Sequence, residues 1–486
     1  MFSFLVTASP SSPSPLRDQI AQELQRIAVN KSAEYNCSVS IAFKNADMAV
    51  PAAAGIVDFA AGRAASVDDR YAWGSGTKPL TGASILKLVS EGHFGIESRV
   101  APLIDPILSY MATQDPTQKF KSMADLWGDE VAQITIGHLL NMTSGIPDFD
   151  TAHGGRDAAP TDSLRAELYA NPGKAYTPVE LMSVPWVEGH FKPCHDVGPH
   201  WHKCYSSTNF MLLGLLLANR TGWSDFAQGS FLPSSLASKL RFAVSGSPVE
   251  NGAVHGYDRT AYNMPAGQTN DFDVGGVDGV FAGWTASDLV GSATDVAALG
   301  WSIYGPSPTV LPKKYSDLMA STALSRDYGY ATFNLQRDTG QSGEYGDAYG
   351  HLGATYGFQS QLVYFPKLEA TLAVATNIET DTQTQPKDVL CFAYNTVAGL
   401  LLNQKITCTF TKSSYYGSGC KCTPIEAARP VEEAVELAPH EIFRMGGGTS
   451  TQLKLDDLAR DSSCAIGAIT TIGAICSSTN SGRTAG

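Results

Sequence analysis

Strand patterns occur at both ends of this chain, and that order restricts the folds it can adopt. Residues 38–43 open with polar and apolar alternation, and residues 52–69 carry turn signals between short apolar runs. The first pattern predicts a strand and the second a β-hairpin. Two further apolar runs, residues 359–364 and 371–376, flank Pro366 and predict paired antiparallel strands. These strands are expected to form one antiparallel sheet, built from both ends of the chain.

Helical patterns fill the chain between and beside these strands. The predicted helices are residues 16–29, 77–89 (closed by Gly92), 288–304 and 393–402. The region from about 104 to 281 alternates helical runs with long loops rich in Gly, Pro and Asp. The predicted fold class is therefore α+β, an antiparallel sheet flanked by helices with a mainly helical subdomain inserted at approximately 104–281.

Three segments make up the predicted domain organisation. Residues 1–15 combine a short apolar start with the Pro/Ser segment SPSSPSP, and are predicted to be disordered or signal-like. Residues 16–404 form the main domain. Residues 405–486 form a Cys-rich C-terminal extension, for which the sequence indicates no function.

The composition is that of a globular protein and disfavours several classes of partner. Hydrophobic residues make up 43% of the 486 residues and charged residues 17%, enough for a sizeable core. The formal net charge of −13, without any Lys/Arg-rich run, argues against nucleic acid, because phosphate binding needs clustered basic residues. No run approaches the roughly 20 apolar residues of a membrane-spanning helix. The oligomeric state stays open.

Nine cysteines indicate disulfide bonds. Cys194 and Cys204 bracket a short segment, and several others gather in the last fifth of the chain, which favours a secreted protein or another oxidising compartment. Buried free thiols in a cytoplasmic protein are the alternative. The pairing does not follow from the sequence, and because nine is odd at least one cysteine lacks a partner within the chain.

A serine and a lysine three residues apart open the helix predicted at residues 77–89. The segment is Gly74-Ser75-Gly76-Thr77-Lys78-Pro79. A serine hydroxyl is a weak nucleophile unless a base takes its proton, and a lysine can do so only if its pKa falls far below about 10.4. The start of a helix also offers free backbone N–H groups to a developing oxyanion. A capping serine beside a solvated lysine has the same Ser-x-x-Lys spacing, so the motif alone decides little.

Four further segments follow this motif and carry a resemblance to a known family. They are residues 134–148 (ITIGHLLNMTSGIPD), 205–214 (YSSTNFMLLG), 291–295 (GSATD) and 349–358 (YGHLGATYGF). Together with residues 54–100 they resemble, in the same order, the motifs of the β-lactamase-related serine hydrolases. This family includes class C β-lactamases, D,D-peptidases and family VIII carboxylesterases. The resemblance spans roughly residues 17–404 and implies the serine β-lactamase and penicillin-binding-protein fold.

The resemblance implies a role for each matching residue. Ser75 would be the acylated nucleophile, and Lys78 would take part in activating it. Tyr205 stands at the family's tyrosine and would move protons to the leaving group and the deacylating water. The backbone N–H groups of Ser75 and Ala354 would form the oxyanion hole. Whether Lys78 or Tyr205 is the acylation base stays open.

Two departures from the family pattern affect the expected substrate. Ser207 replaces the asparagine that follows the tyrosine, and Leu352 stands where a hydroxyl residue is common. The segment His351-Leu352-Gly353 and Ala354 would bind substrate together with Ser207. Without the hydroxyl at position 352, the carboxylate of a β-lactam or D-alanyl peptide loses a partner. An esterase acting on a small ester or amide is therefore favoured over a β-lactamase or D,D-peptidase.

Other interpretations remain beside this one. His195, His200 and His202 lie between Cys194 and Cys204, and a His/Cys metal site is conceivable there, but a disulfide-closed loop is preferred. No metal or cofactor is therefore predicted. Tyr205 and His351 could both be structural. From another class of function, the chain could be a non-catalytic family member used for binding or assembly, although intact Ser75, Lys78 and Tyr205 argue against it.

Overall fold

One six-stranded antiparallel sheet dominates the fold. The computed structural model describes residues 15–150, 164–194, 204–221, 228–260, 272–380, 383–404 and 406–409. The strand order is β10-β11-β12-β13-β1-β2, so strands from the beginning and the end of the domain pair side by side. Val39 of β1 lies opposite both Ala54 of β2 and Thr376 of β13. The predicted antiparallel sheet, built from both chain ends, is confirmed.

The bounds of the elements follow the chain. The strands are β1 (Val39–Lys44), β2 (Ala49–Ala54), β3 (Ile56–Asp58), β4 (Arg63–Ala64), β5 (Arg70–Ala72), β6 (Arg241–Phe242), β7 (Tyr257–Asp258), β8 (Phe272–Asp273), β9 (Leu289–Ser292), β10 (Phe333–Asn334), β11 (Tyr349–Thr355), β12 (Phe358–Phe365), β13 (Ala370–Thr376) and β14 (Ile378–Glu379). The helices are α1 (Pro15–Tyr35), α2 (Lys78–Ser90), α3 (Ala101–Gln114), α4 (Met123–Trp127), α5 (Ile136–Leu140), α6 (Leu164–Ala170), α7 (Pro178–Met182), α8 (Thr208–Thr221), α9 (Ser234–Ala237), α10 (Ala293–Tyr304), α11 (Lys313–Arg326), α12 (Gln336–Thr339) and α13 (Thr384–Leu402).

Helices cover both faces of the sheet. Gly300 of α10 packs on Leu362 of β12, whereas Tyr394 of α13 stacks on Phe365 of the same strand with ring centroids 4.3 Å apart. Residues 362 and 365 differ by an odd number and therefore point to opposite faces of the sheet. Because both faces are covered, every residue of β13 is buried. This explains why residues 371–376 form a continuous apolar run rather than an alternating one.

Several predicted elements differ from the structure in their extent, among them the helix predicted at 393–402, which begins already at Thr384. The helix predicted at 288–304 begins only at Ala293, because residues 289–292 form β9, which pairs with β5. Ser292 caps this helix by accepting a hydrogen bond from the Asp295 amide, so the helix begins after the serine. The hairpin predicted at 52–69 is shorter than expected. Only β3 and β4 form it, while β2 pairs with β1 in the main sheet.

Helices are the main regular elements among the described residues of the inserted region between α3 and β9, in agreement with the predicted fold class. Among its described residues, the strands β6, β7 and β8 are each two residues long. Arg165 of α6 joins this region to the strands beside the main sheet. It contacts Glu379 of β14 through two hydrogen bonds of 2.7 and 2.8 Å, and it also pairs with Asp258 of β7. All three side chains are buried, so the two carboxylates depend on Arg165 for their charge compensation.

Replacing Arg165 by methionine is expected to lower the free energy of unfolding by about 3 to 5 kcal/mol, because it leaves two buried carboxylates without their cation. Urea denaturation at neutral pH measures this effect. Arg26→Met is the matched control, since Arg26 pairs with Glu23 on the surface of α1 and exposed pairs contribute at most about 1 kcal/mol. Equal decreases in the free energy of unfolding of the two variants would show that the buried ion pairs of Arg165 contribute no more to stability than an exposed pair.

Two disulfide bonds lie within the described residues. Cys194 pairs with Cys204, and Cys391 of α13 pairs with Cys408. Cys37 is a buried free thiol, and the remaining four cysteines lie outside the described residues, as does most of the predicted extension at 405–486. The loop closure predicted for Cys194 and Cys204 is therefore confirmed, while the oxidising compartment stays a prediction. None of the described helices is long and apolar enough to cross a membrane.

Candidate active site

Ser75 lies in a short 3-10 turn, residues 74–77, which leads directly into α2. Gly74 has a φ of +51°, and a Cβ atom on it would lie 2.5 Å from the carbonyl oxygen of Ala354. Only glycine allows this approach, so the turn presses against the backbone of β11. Gly353 meets the turn from the other side, where an added Cβ would lie 2.1 Å from the carbonyl oxygen of Trp73. These two glycines place Ser75 beside Ala354.

Lys78 is fully buried at the first position of α2, and its ammonium has three close partners. The Nζ atom lies 2.8 Å from Ser75 Oγ, 3.2 Å from Ser207 Oγ and 3.0 Å from the carbonyl oxygen of Ala286. Three separate elements meet at this one nitrogen. The structure therefore brings the predicted pair Ser75 and Lys78 into direct hydrogen-bonding contact.

Burial lowers the pKa of Lys78 to about 7, because a charged ammonium is poorly solvated inside the protein. The carboxyl groups of Asp148 and Asp150 act in the opposite direction and raise it. At neutral pH a substantial fraction of Lys78 is thus uncharged and can accept a proton. The sequence-based requirement that this lysine lose much of its basicity is met by its surroundings.

Tyr205 is buried and precedes α8 by three residues. Its ring centroid is 5.2 Å from Lys78 Nζ. The ring belongs to an aromatic cluster whose other members, Tyr328, Phe333 and His351, have centroids 6.0 to 6.5 Å away. The disulfide at Cys204 immediately precedes it. Packing against the aromatic cluster and the neighbouring disulfide bond hold the tyrosine ring close to Lys78.

His351 lies behind the site rather than on its surface. The side chain is fully buried, and its Nε2 atom lies 3.1 Å from the hydroxyl of Tyr328, while Nδ1 contacts the carbonyl of Leu352. A carbonyl can only accept, so Nδ1 carries the hydrogen and Nε2 accepts from Tyr328. Burial, with the nearby Lys78, holds the pKa of His351 well below its usual range. The imidazole is therefore neutral, with both nitrogens occupied by protein groups.

Leu352 and Ala354 alternate with the two buried residues His351 and Gly353 along β11. Both are partly exposed and share the face of the strand opposite to that of His351 and Gly353. An apolar side chain at position 352 presents no hydrogen-bond donor there. Their predicted role in binding substrate stays a prediction, as do the roles of the other site residues.

Asp148 is a member of this site that the sequence reasoning did not identify. One of its oxygens, Oδ1, accepts a 3.0 Å hydrogen bond from the amide of Ser207. The carboxyl group is buried, and its pKa is raised to about 6, first by burial and then by the nearby Asp150. Asp148 is the last residue of the family-like segment 134–148, so its sequence position pointed to the site. Nothing in its spacing along the chain, however, indicates that it lies near Lys78. The carbonyl of Ala286 could not be predicted from the sequence, because every residue has a backbone carbonyl group.

The histidines considered as metal ligands, His195, His200 and His202, lie outside the described residues. In the part of the chain that the structure covers, no group of three or more His, Cys, Asp and Glu side chains is arranged to hold a metal ion. A metal site at these three histidines therefore stays an untested alternative.

A six-stranded antiparallel sheet covered by helices, with a Ser-x-x-Lys pair at the start of a buried helix, defines the class of serine β-lactamase-like proteins. The family model described as Beta-lactamase matches residues 38–390, most of the chain. This chain therefore belongs to the Beta-lactamase family. The predicted family and fold class are both confirmed.

Three known proteins of similar sequence or fold are 15 to 24% identical to this chain over the aligned residues. Penicillin-binding protein 4* of Bacillus subtilis is 24% identical over 320 residues, which are 63% of this chain and 60% of that protein. The chain thus spans less than two thirds of that curated relative. The D-amino acid amidase of Ochrobactrum anthropi SV3, complexed with D-phenylalanine, is 20% identical with a TM-score of 0.58, covering 79% of this chain and 99% of the amidase. EstCE1, a hydrolase with promiscuous acyltransferase activity, is 15% identical with a TM-score of 0.55, covering 79% and 100%. At these identities the structures establish the fold.

Proposed function

We propose that this protein is a serine hydrolase that cleaves a small ester or amide through an acyl-enzyme on Ser75, most readily an ester. The observation that carries the proposal is the 2.8 Å contact between Lys78 Nζ and Ser75 Oγ. A serine becomes a nucleophile when a group at this distance accepts its proton. The family supports a hydrolase, and the surroundings of the pair support the choice of substrate.

The partners of Lys78 match the hydrogen atoms of an uncharged amine. A neutral lysine has two N–H bonds and one lone pair. Ser207 Oγ and the Ala286 carbonyl oxygen can each accept a hydrogen bond from one of the two N–H groups. This arrangement directs the nitrogen lone pair at the hydroxyl of Ser75. When the lysine takes the serine proton, it becomes an ammonium with three N–H bonds and the same three acceptors. The proton transfer therefore needs no rearrangement of these contacts.

In the proposed reaction, Ser75 Oγ attacks the carbonyl carbon while its proton passes to Lys78. The carbonyl electron pair moves to oxygen, where the backbone N–H groups of Ser75 and Ala354 would stabilise the charge. As the tetrahedral intermediate collapses, the bond to the leaving alcohol or amine breaks, and Tyr205 would relay a proton to it. Water then attacks the acyl group by the reverse route and releases the acid.

The charges around the site favour a substrate without a carboxylate. The charged side chains that act on Lys78 are the two acids Asp148 and Asp150. Their negative potential opposes an anionic group close to the nucleophile. Leu352 offers the substrate an apolar surface where a hydroxyl donor is common in the family. These features support a neutral ester or amide over a β-lactam or D,D-peptide.

Hydrolysis of a short p-nitrophenyl ester, a chromogenic cephalosporin and D-phenylalanine amide tests the proposal directly. We expect a kcat/KM for the ester at least about tenfold above that for the cephalosporin, a difference of about 1.4 kcal/mol. Turnover of the amide would extend the substrates to aminoacyl amides, as named for the similar amidase. A preference for the cephalosporin would overturn the choice of substrate class. Absence of turnover, with no acyl adduct on Ser75, would favour a non-catalytic binding or assembly protein.

A further inference from the structure

The buried carboxylate of Asp148 is linked through a single residue, Ser207, to Lys78, the lysine that becomes an ammonium in the proposed reaction. Ser207 contacts Lys78 Nζ through its hydroxyl at 3.2 Å and Asp148 Oδ1 through its amide at 3.0 Å. The same Oδ1 atom also accepts from the amide of Asp150 at 3.2 Å. The carboxylate is thereby fixed by two backbone amides at a short distance from the ammonium site, without touching the reacting atoms.

We propose that Asp148 supplies the counter-charge for the ammonium that Lys78 becomes when it takes the proton of Ser75. This inference rests on the proposed function, since it concerns the same proton transfer. In that step a neutral serine and a neutral lysine become an oxyanion and a buried ammonium. A fixed carboxylate nearby stabilises the ammonium as it forms and needs no movement to do so. Asp148 acts through Lys78 and is therefore a positioning residue.

The ionisation state of Asp148 is compatible with this role. Its pKa of about 6 lies above the usual value because of burial, yet the group is largely ionised at neutral pH. The hydrogen bond from the Ser207 amide favours the ionised form. Asp148 and Lys78 thus titrate close to each other. The carboxylate is charged over the range in which the lysine is able to accept a proton.

The other groups that face Lys78 come from five segments of the chain. They are Asp150 after α5, Tyr205 before α8, the Ala286 carbonyl before β9, neutral His351 on β11, and Ser75. Among these, Asp150 is the other carboxylate that raises the lysine pKa, and it has the smaller effect of the two. It is partly exposed and accepts a 2.7 Å hydrogen bond from Tyr356. Solvent screens an exposed charge, so Asp148 is the more effective counter-ion.

The pH dependence of catalysis distinguishes a counter-charge from a structural role. Activity requires uncharged Lys78, so kcat/KM rises with pH through the lysine pKa. Asp148 raises that pKa, and removing its charge must lower it. In Asp148→Asn the acid limb of the pH profile, the range in which kcat/KM rises with pH, therefore moves to lower pH. The plateau value falls by about tenfold or more, because a less basic lysine without a counter-ion stabilises the transferred proton less well.

The experiment measures kcat/KM for a p-nitrophenyl ester across the acid and neutral range in wild type and Asp148→Asn. Asparagine keeps an oxygen acceptor for the Ser207 amide and removes only the charge. Asp105→Asn is the matched control, since Asp105 of α3 likewise accepts a 2.8 Å bond from a backbone amide, that of Met123, but lies outside the site. We expect this control to keep the wild-type plateau and acid limb.

A fall in activity with an unmoved acid limb would overturn the counter-charge and leave a structural role. Should Asp148→Asn not fold, Asp148→Ser, which also keeps an oxygen acceptor at this position, must shift the limb in the same direction, and an unmoved limb there overturns the inference. Mass spectrometry of the wild-type protein after incubation with the ester shows whether an acyl adduct forms on Ser75. It therefore distinguishes a failure of the role of Asp148 from a failure of the proposed function. An acyl adduct on Ser75 together with an unmoved limb removes only the role of Asp148. Absence of the adduct removes the proposed reaction itself.

Discussion

Replacing Ser75 by alanine is expected to abolish ester hydrolysis and leave the fold intact. The alanine removes only the hydroxyl, whose partner in the structure is Lys78 at 2.8 Å. The turn that carries Ser75 is held by Gly74, Gly353 and the backbone of Ala354, none of which depends on that hydroxyl. Initial rates with the p-nitrophenyl ester measure the loss, and thermal unfolding confirms the fold.

Ser84→Ala is the matched control for this variant. Ser84 lies on α2, the helix that follows Ser75, is buried, and donates a 2.8 Å hydrogen bond to the carbonyl of Leu80. It has no contact with Lys78, so its loss is expected to leave the rate unchanged. Full activity of Ser75→Ala would exclude the acyl-enzyme on Ser75 and with it the proposed mechanism.

Replacing Lys78 by alanine is expected to lower kcat by more than about 100-fold and up to about 10,000-fold, the range for a positioned general base. The substitution removes the one nitrogen that contacts Ser75 Oγ, Ser207 Oγ and the Ala286 carbonyl together. Lys78→Arg separates a base from a simple positive charge. A guanidinium stays protonated in proteins, so the arginine variant is expected to be nearly as inactive as the alanine variant.

The pH dependence of wild-type activity also tests whether Lys78 acts as a base. Because the pKa of Lys78 is lowered to about 7, activity should be lost as the pH falls below that value and the lysine becomes charged. Lys87→Ala on α2 is the control, since Lys87 lies near the ring of Phe231 and away from the site. An arginine variant with nearly full activity would show that Lys78 acts as a charge and does not take the proton.

Much of the fold follows from residue patterns that are local in the chain. The continuous apolar runs at 359–364 and 371–376 indicate β12 and β13 because both faces of these strands are buried. Helix α2 is similarly indicated by its apolar residues and by Gly92, which lies just beyond its end with a φ of +81°. Short strands such as β9 were missed, because four residues that pair with a distant segment carry too little periodicity.

The sequence also indicated the reactive pair, since a spacing of three residues on a helix places two side chains on one face. Of the groups that surround them, the family resemblance indicated Ser207 but neither Asp148 nor the carbonyl of Ala286. Only in the folded chain does the Ala286 carbonyl contact Lys78, and only there is Asp148 linked to the lysine through Ser207. Likewise, the position of His351 behind the site depends on Tyr328, which no motif included.

The family, the fold class and a candidate nucleophile were thus available from the order of motifs alone, because each depends on residue types at short spacings. The state of the lysine was not. Whether Lys78 is charged depends on how deeply it is buried and on the distance to carboxylates that are far away in sequence. Desolvation and Coulomb interactions act through space rather than along the chain, so tertiary packing is what makes this lysine a candidate base.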